Sequence, residues 1–189
     1  VDFVIHAASI ASPIFYRQYP LETLDANIWG LRQLLDFYNR DSLKGFLFFS
    51  SSEIYGDPAP DMIPTDEEYN GNVSCNGPRA CYDESKRFGE TMCSIYAQQF
   101  NMPITIARPF NNYGPGMRLT DRRLPADFAK AVINGNDIAI LSDGTPTRTF
   151  CYVADAVVGY FFCLFHGKYD YFNIGTETPE ISVKAVAEI

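Results

Sequence analysis

Tyr82 and Lys86 stand four residues apart in Tyr82-Asp83-Glu84-Ser85-Lys86, a spacing that puts both on one face of a helix, one turn apart. A phenol titrates near ~10 and is a poor base at neutral pH. A cation one turn away favours the phenolate and makes the tyrosine able to take a proton from a hydroxyl. Such a pair also arises by chance on surface helices, so its surroundings decide its meaning. Upstream, the apolar run Gly45–Phe49 ends in Ser50-Ser51-Ser52-Glu53, which sets hydroxyls and a carboxylate at the end of an extended segment. Two more apolar runs end in polar residues: Val1–Ile5 in His6-Ala7-Ala8, and Pro103–Ala107 in Arg108-Pro109-Phe110-Asn111.

Strands and helices must alternate to bring these three ends together. Strand signals fall at Val1–Ile5, Gly45–Ser50, Pro103–Ala107, Ile138–Leu141, Thr149–Val153 and Tyr171–Ile174. Helical patterns lie between them at Leu21–Tyr38, Tyr82–Phe100, Leu124–Asn134 and Asp155–Phe165, and Ser182 is placed to cap a last one. That alternation predicts an α/β fold with a parallel sheet. In open parallel sheets, ligands bind beyond the carboxyl ends of the strands, where all three polar segments fall. The Pro- and Gly-containing stretch 56–78 is predicted to be a long surface loop.

Composition narrows the possibilities. The 189 residues are 47% hydrophobic and 20% charged, enough for one globular core. A net charge of −8 argues against a nucleic-acid surface, which needs a basic excess. No apolar run reaches the roughly 20 residues of a membrane span. The cysteines at 75, 81, 93, 151 and 163 show no CxxC spacing, and His6 and His166 lie far apart, so no metal site and a reducing, cytoplasmic setting are expected. The sequence opens without methionine inside an apolar run and stops inside a helical pattern, which reads as a piece of a longer chain.

The order of these features resembles the extended short-chain dehydrogenase/reductase family. The matching segments are Val4-Ile5-His6-Ala7-Ala8, Asn27, Ser51-Ser52-Glu53-Ile54-Tyr55-Gly56, Tyr82 with Lys86, Arg108 to Pro115, and Arg148-Thr149-Phe150-Cys151-Tyr152-Val153-Ala154-Asp155. Within that family, Ser52 to Pro58 and Gly77 to Arg87 are most similar to the UDP-glucuronate decarboxylases. Pro109, Asn112 and Gly116 depart from the decarboxylase pattern toward that of epimerases and dehydratases.

The resemblance implies a Rossmann-like, doubly wound parallel sheet that lacks its N-terminal strands and their glycine-rich phosphate turn. Residues 1–110 would form a partial NAD-binding and catalytic domain, and residues 111–189 a smaller α/β part holding the sugar nucleotide. It implies NAD as cofactor near Ala7, Ala8, Ser50, Tyr82, Lys86 and Pro109, and a catalytic set of Ser52, Glu53, Tyr82 and Lys86. An ordinary solvent-facing loop carboxylate is the lesser alternative for Glu53. Asn111 would contact the substrate, and Arg79 the substrate or the loop. Arg123 and Arg148 would hold a diphosphate, for which the arginine fork is suited, with surface ion pairs as the alternative. The implied chemistry is transient C4 oxidation followed by decarboxylation, dehydration or epimerisation. A homodimer through the two long helices is implied as well. An inactive fragment or non-catalytic nucleotide-binding relative is the reading from a different class.

Overall fold

The computed structural model describes residues 1–39 and 42–189. In chain order the elements are β1 (Phe3–His6), α1 (Pro13–Gln18), α2 (Pro20–Leu24), a π-helical stretch (Asp25–Gly30), α3 (Leu31–Tyr38), β2 (Gly45–Phe49), α4 (Ala80–Phe100), β3 (Ile104–Pro109), β4 (Asn112–Tyr113), α5 (Leu124–Ile133), β5 (Thr147–Arg148), β6 (Cys151–Tyr152), α6 (Val153–Phe165), β7 (Asp170–Ile174), β8 (Ile181–Ser182) and α7 (Val183–Glu188). Strands β1, β2, β3 and β7 pair in that order, all parallel, into one sheet.

Side-chain alternation along the strands sends one set of residues to each face. Phe46 and Phe48 of β2 and Ile104 and Ile106 of β3 pack beneath Leu31 and Leu35 of α3 and Met92, Cys93 and Tyr96 of α4. On the opposite face, Leu47 and Ala107 meet Cys163 and Leu164 of α6. Helices therefore cover both faces, the doubly wound arrangement expected for strands that read as continuous apolar runs. Gly89 lets α4 come close: a Cβ there would lie 2.6 Å from the Phe48 ring. Because α6 and β7 return to this sheet, the division expected at residue 110 is crossed by the hydrogen-bonded ladder between β3 and β7.

Three local outcomes differ from the sequence reading. Ile138–Leu141 forms no strand, and Leu141 is exposed; among the described residues it has no ladder partner, and β-branched residues alone cannot hold an isolated strand. Thr149–Val153 is not one strand, because the chain changes partners there. Thr147–Arg148 runs antiparallel to β8, Cys151–Tyr152 runs parallel to β4, and Val153 already opens α6. The short helix α1 has no counterpart among the predicted elements, although Ser12-Pro13 is a fair start signal, with proline preset for the first helical turn.

The loop 56–78 is anchored from below. Arg108, at the end of β3, is buried and makes a bidentate pair with Glu90 of α4 at 3.0 and 2.7 Å. Its Nη1 donates to the Tyr55 hydroxyl and the Glu67 carbonyl, both at 2.8 Å. The Tyr55 hydroxyl donates onward to Asn173 of β7 at 2.7 Å. From α4, Arg87 donates to the carbonyls of Ile54 (2.7 Å) and Asn70 (2.9 Å). A single helix thus ties the turn before the loop, at Ile54, to the loop itself, at Asn70.

Removing one member of a buried ion pair leaves its partner's charge uncompensated. Arg108→Met is therefore expected to lower stability by on the order of 3–5 kcal/mol in chemical denaturation. Combining it with Glu90→Leu is expected to recover most of that loss, since an apolar pair no longer strands a charge.

Candidate active site

The cleft opens at the carboxyl ends of β1, β2 and β3 and has a volume of about 430 Å³. It is lined by Ala7, Ser50, Ser52, Glu53, Arg79, Tyr82, Lys86, Pro109, Asn111, Arg123 and Arg148, so the predicted site residues, widely scattered in sequence, face one space. Ala8 is the exception: it is exposed, next to Ala7, and does not line the cleft.

Tyr82 and Lys86 lie one turn apart at the start of α4, both buried. Lys86 is 2% exposed. Its Nζ donates to the Phe49 carbonyl at 2.7 Å and lies 5.2 Å from the Phe48 ring centroid and 5.8 Å from that of Tyr82. Burial without a carboxylate partner pulls its pKa down to about 8. The same neighbourhood pushes His6 down to about 4, through burial first and the Lys86 charge second, so the imidazole is neutral.

The serine hydroxyl that draws the Tyr82 phenol pKa downward is that of Ser51, one residue before the expected Ser52. Ser51 also accepts, through its hydroxyl, from the Glu53 amide at 3.2 Å. Its extended backbone (φ −165°, ψ 153°) caps the turn Ser52–Tyr55 and turns its side chain inward. Ser52 begins that turn and lines the cleft beside Ser51. Three consecutive serines leave the choice to backbone geometry, which composition does not reveal. Ser50 acts elsewhere. Its hydroxyl donates to Glu90 at 2.5 Å, supporting the carboxylate that holds Arg108.

The balance at Tyr82 also differs from expectation. Burial raises the phenol pKa above 10, and the Ser51 hydrogen bond and the more distant Arg123 charge offset only part of that rise. Lys86 is directed at the Phe49 carbonyl, and its charge does not dominate here. Beyond the catalytic pair, Tyr16 of α1 stacks on Tyr82, with ring centroids 5.1 Å apart and planes within 14°. Tyr16 is absent from the predicted site residues; only recognition of α1 would place it there. Asn27, on the π-helical stretch, is fully buried and donates to Ser85 at 2.8 Å, tying that stretch to α4.

Glu53 projects toward Arg79, whose Nη2 pairs with its carboxylate, and the Arg79 Nε lies 3.4 Å from Asp83. Burial raises the Asp83 carboxyl to about 6 even though Arg79 opposes the shift. Across the cleft, Arg148 sits exposed on β5 and donates to its neighbour's carbonyl at 2.6 Å. Arg123 pairs with Asp121 at 3.3 Å. Lys86, Arg123 and Arg148 thus add cationic groups to the lining of the cleft. The cleft can therefore present a buried phenol and serine hydroxyl to a sugar alcohol, and a pair of guanidinium groups to an anion.

Comparison with known proteins shows the family. The model of the NAD dependent epimerase/dehydratase family matches residues 1–175. UDP-glucuronic acid decarboxylase 6 of Arabidopsis thaliana is 42% identical over 159 residues, 84% of this chain and 46% of that protein. UDP-glucuronic acid decarboxylase 1 of Xenopus tropicalis is also 42% identical over 159 residues, 84% of this chain and 37% of that protein. Among solved structures, UDP-glucose 4-epimerase from Thermotoga maritima, with UDP-glucose, superposes with a TM-score of 0.88 at 25% identity, covering 99% of this chain and 59% of that one. UDP-glucuronic acid 4-epimerase from Bacillus cereus, in complex with NAD, gives a TM-score of 0.75 at 27% identity, covering 98% and 57%. The chain spans less than half the length of these two decarboxylases. By that family match and these identities, the chain belongs to the NAD dependent epimerase/dehydratase family.

Proposed function

We propose that this chain is the catalytic portion of an NAD-dependent enzyme that modifies a sugar nucleotide through its C4 position, with decarboxylation of UDP-glucuronate as the best-supported reaction. The observation that carries this reading is the buried Lys86. Its ammonium is held at the cleft beside Tyr82 with a depressed pKa and, among the described residues, no acidic partner. A fold gains no stability from such a group, and perturbed titratable residues of this kind cluster at functional sites. The decarboxylase reading rests on the 42% identity to proteins of that name and on Glu53 and Arg79 within the cleft.

Ala7 and Pro109, at the strand ends that line the cleft, and Lys86, whose buried ammonium can donate to hydroxyls, would hold the nicotinamide-ribose portion of NAD. The chain has no Gly-x-x-Gly-x-x-Gly turn for the pyrophosphate. When bound, NAD supplies the acceptor and later the donor of the C4 hydride. Tyr82 takes the proton of the sugar 4-hydroxyl at its Oη, and Ser51 hydrogen-bonds the same oxygen and fixes its direction. Protonated Lys86 stabilises the phenolate against the burial that opposes it. A 4-ketone sits β to a C5 carboxylate, so the sugar loses CO2 readily once it is formed. On a sugar with a hydroxymethyl group instead, Glu53 could remove the C5 proton, which is the dehydratase alternative. Arg123 and Arg148 receive the diphosphate, and Asn111 orients the substrate between them and Tyr82. The homodimer reading is supported by exposed Trp29 and Phe37 on one long helical segment and Phe88 and Ile95 on the other.

Calorimetric titration with NAD, then mass analysis of products from UDP-glucuronate, tests the assignment. Loss of CO2 is the expected result, and loss of water or an unchanged mass would point to a dehydratase or an epimerase. Tyr82→Phe is expected to lower turnover by about 10²–10⁴-fold with little change in folding; retained turnover would overturn the catalytic reading.

Lys86 gives a prediction of opposite sign for stability. Its folded pKa of about 8 lies below the ordinary 10.5, so the unfolded chain binds the proton more tightly and stability from this group rises between pH 8 and 10.5. Lys86→Met is accordingly expected to abolish turnover yet stabilise the fold at pH 7 by about 1–3 kcal/mol. The gain is expected to vanish above pH 10.5 in denaturation curves.

A further inference from the structure

Arg79 is held between two carboxylates of unequal freedom. Glu53, on the turn after β2, has a side chain 40% exposed, whereas Asp83, within α4, has one only 9% exposed. The guanidinium uses Nη2 for Glu53 and Nε for Asp83. Among the described residues its Nη1 has no acceptor, and the side chain remains 37% exposed at the cleft wall. An arginine fork carries five donors arranged to match a planar carboxylate. Arg79 therefore has one fixed anchor, one displaceable partner and donor capacity to spare. It also lies beside Tyr82: both line the cleft, and the Arg79 carbonyl accepts from the Tyr82 amide at 2.9 Å.

We propose that Arg79 is the residue that selects a carboxylate on the sugar: the substrate carboxylate takes the place of Glu53 on the guanidinium, while Asp83 keeps the arginine in position. The exchange rests on the sugar-nucleotide reading above. It conserves one ion pair, releases Glu53 into the cleft, and places Arg79 between two carboxylates that would otherwise repel each other. A sugar with a hydroxymethyl group cannot make the exchange, so Glu53 stays paired. Asp83 is a positioning residue here, since it acts through Arg79.

The experiment is calorimetric binding of UDP-glucuronate and UDP-glucose to the purified chain, to Arg79→Gln and to Glu53→Gln, with circular dichroism as the folding control. The wild-type chain is expected to prefer UDP-glucuronate. Arg79→Gln is expected to reduce that preference about tenfold or more, the size of a lost charge-assisted hydrogen bond. Glu53→Gln removes the competing carboxylate and is expected to move the preference the other way, toward UDP-glucuronate. This second variant keeps the test decisive if Arg79→Gln fails to fold. Equal binding of both ligands by the wild type, or equal weakening of both by Arg79→Gln, would overturn the selection role and leave the sugar-nucleotide reading standing. A folded wild type that binds neither ligand would overturn both.

Discussion

The buried pair of Arg108 and Glu90 joins the elements that the site requires. It crosses from the end of β3 to the middle of α4, and Ser50 at the end of β2 donates into it. Through Tyr55 it reaches Asn173 on β7, so three neighbouring strands and the helix above them share one hydrogen-bonded network. A buried ion pair is often neutral for stability, because desolvation cancels much of the attraction. Its effect here is geometric. It fixes how far along β2 and β3 the helix sits, and therefore where Tyr82 and Lys86, on the preceding turns of α4, enter the cleft.

That geometry keeps stability and chemistry apart. The carboxylate that could have paired with Lys86 is committed to Arg108, and the nearest polar partner left to the ammonium is the Phe49 carbonyl. Burial then lowers the lysine pKa and raises that of the neighbouring tyrosine. Both shifts disfavour the charged forms that acid–base work requires. Polar groups placed at strand ends, where backbone pairing stops, are the general way α/β folds open such a site.

The open side of the fold carries a different constraint. Strand β1 is an edge among the described strands, and Phe3 packs edge-on against Phe165 of α6 with ring centroids 5.2 Å apart. Phe162, 75% exposed, and Ile5 extend that apolar surface. Exposed edges bordered by large apolar side chains favour association unless something covers them. The cleft ends on this side at Ala7, the residue expected to lie beside the cofactor.

The alternation of strand and helix, the parallel sheet and the convergence of three polar strand ends were legible in the sequence, because burial on both faces produces continuous apolar runs and the Tyr82–Lys86 spacing matches a helical turn. Even the helix cap at Ser182 followed from residue type alone. Tertiary structure decided what spacing cannot express. It made Ser51 the cap of the turn that Ser52 begins, because the direction of a side chain in a serine run depends on the backbone turn that follows. It gave Glu90 to Arg108, because a charge on a helix facing a sheet has no sequence signature beyond its period. It left Ile138–Leu141 without strand structure, because a strand exists only if a partner offers its hydrogen bonds. Local pattern thus determined which elements form and which residues they present, whereas the partners those residues meet depend on long-range packing.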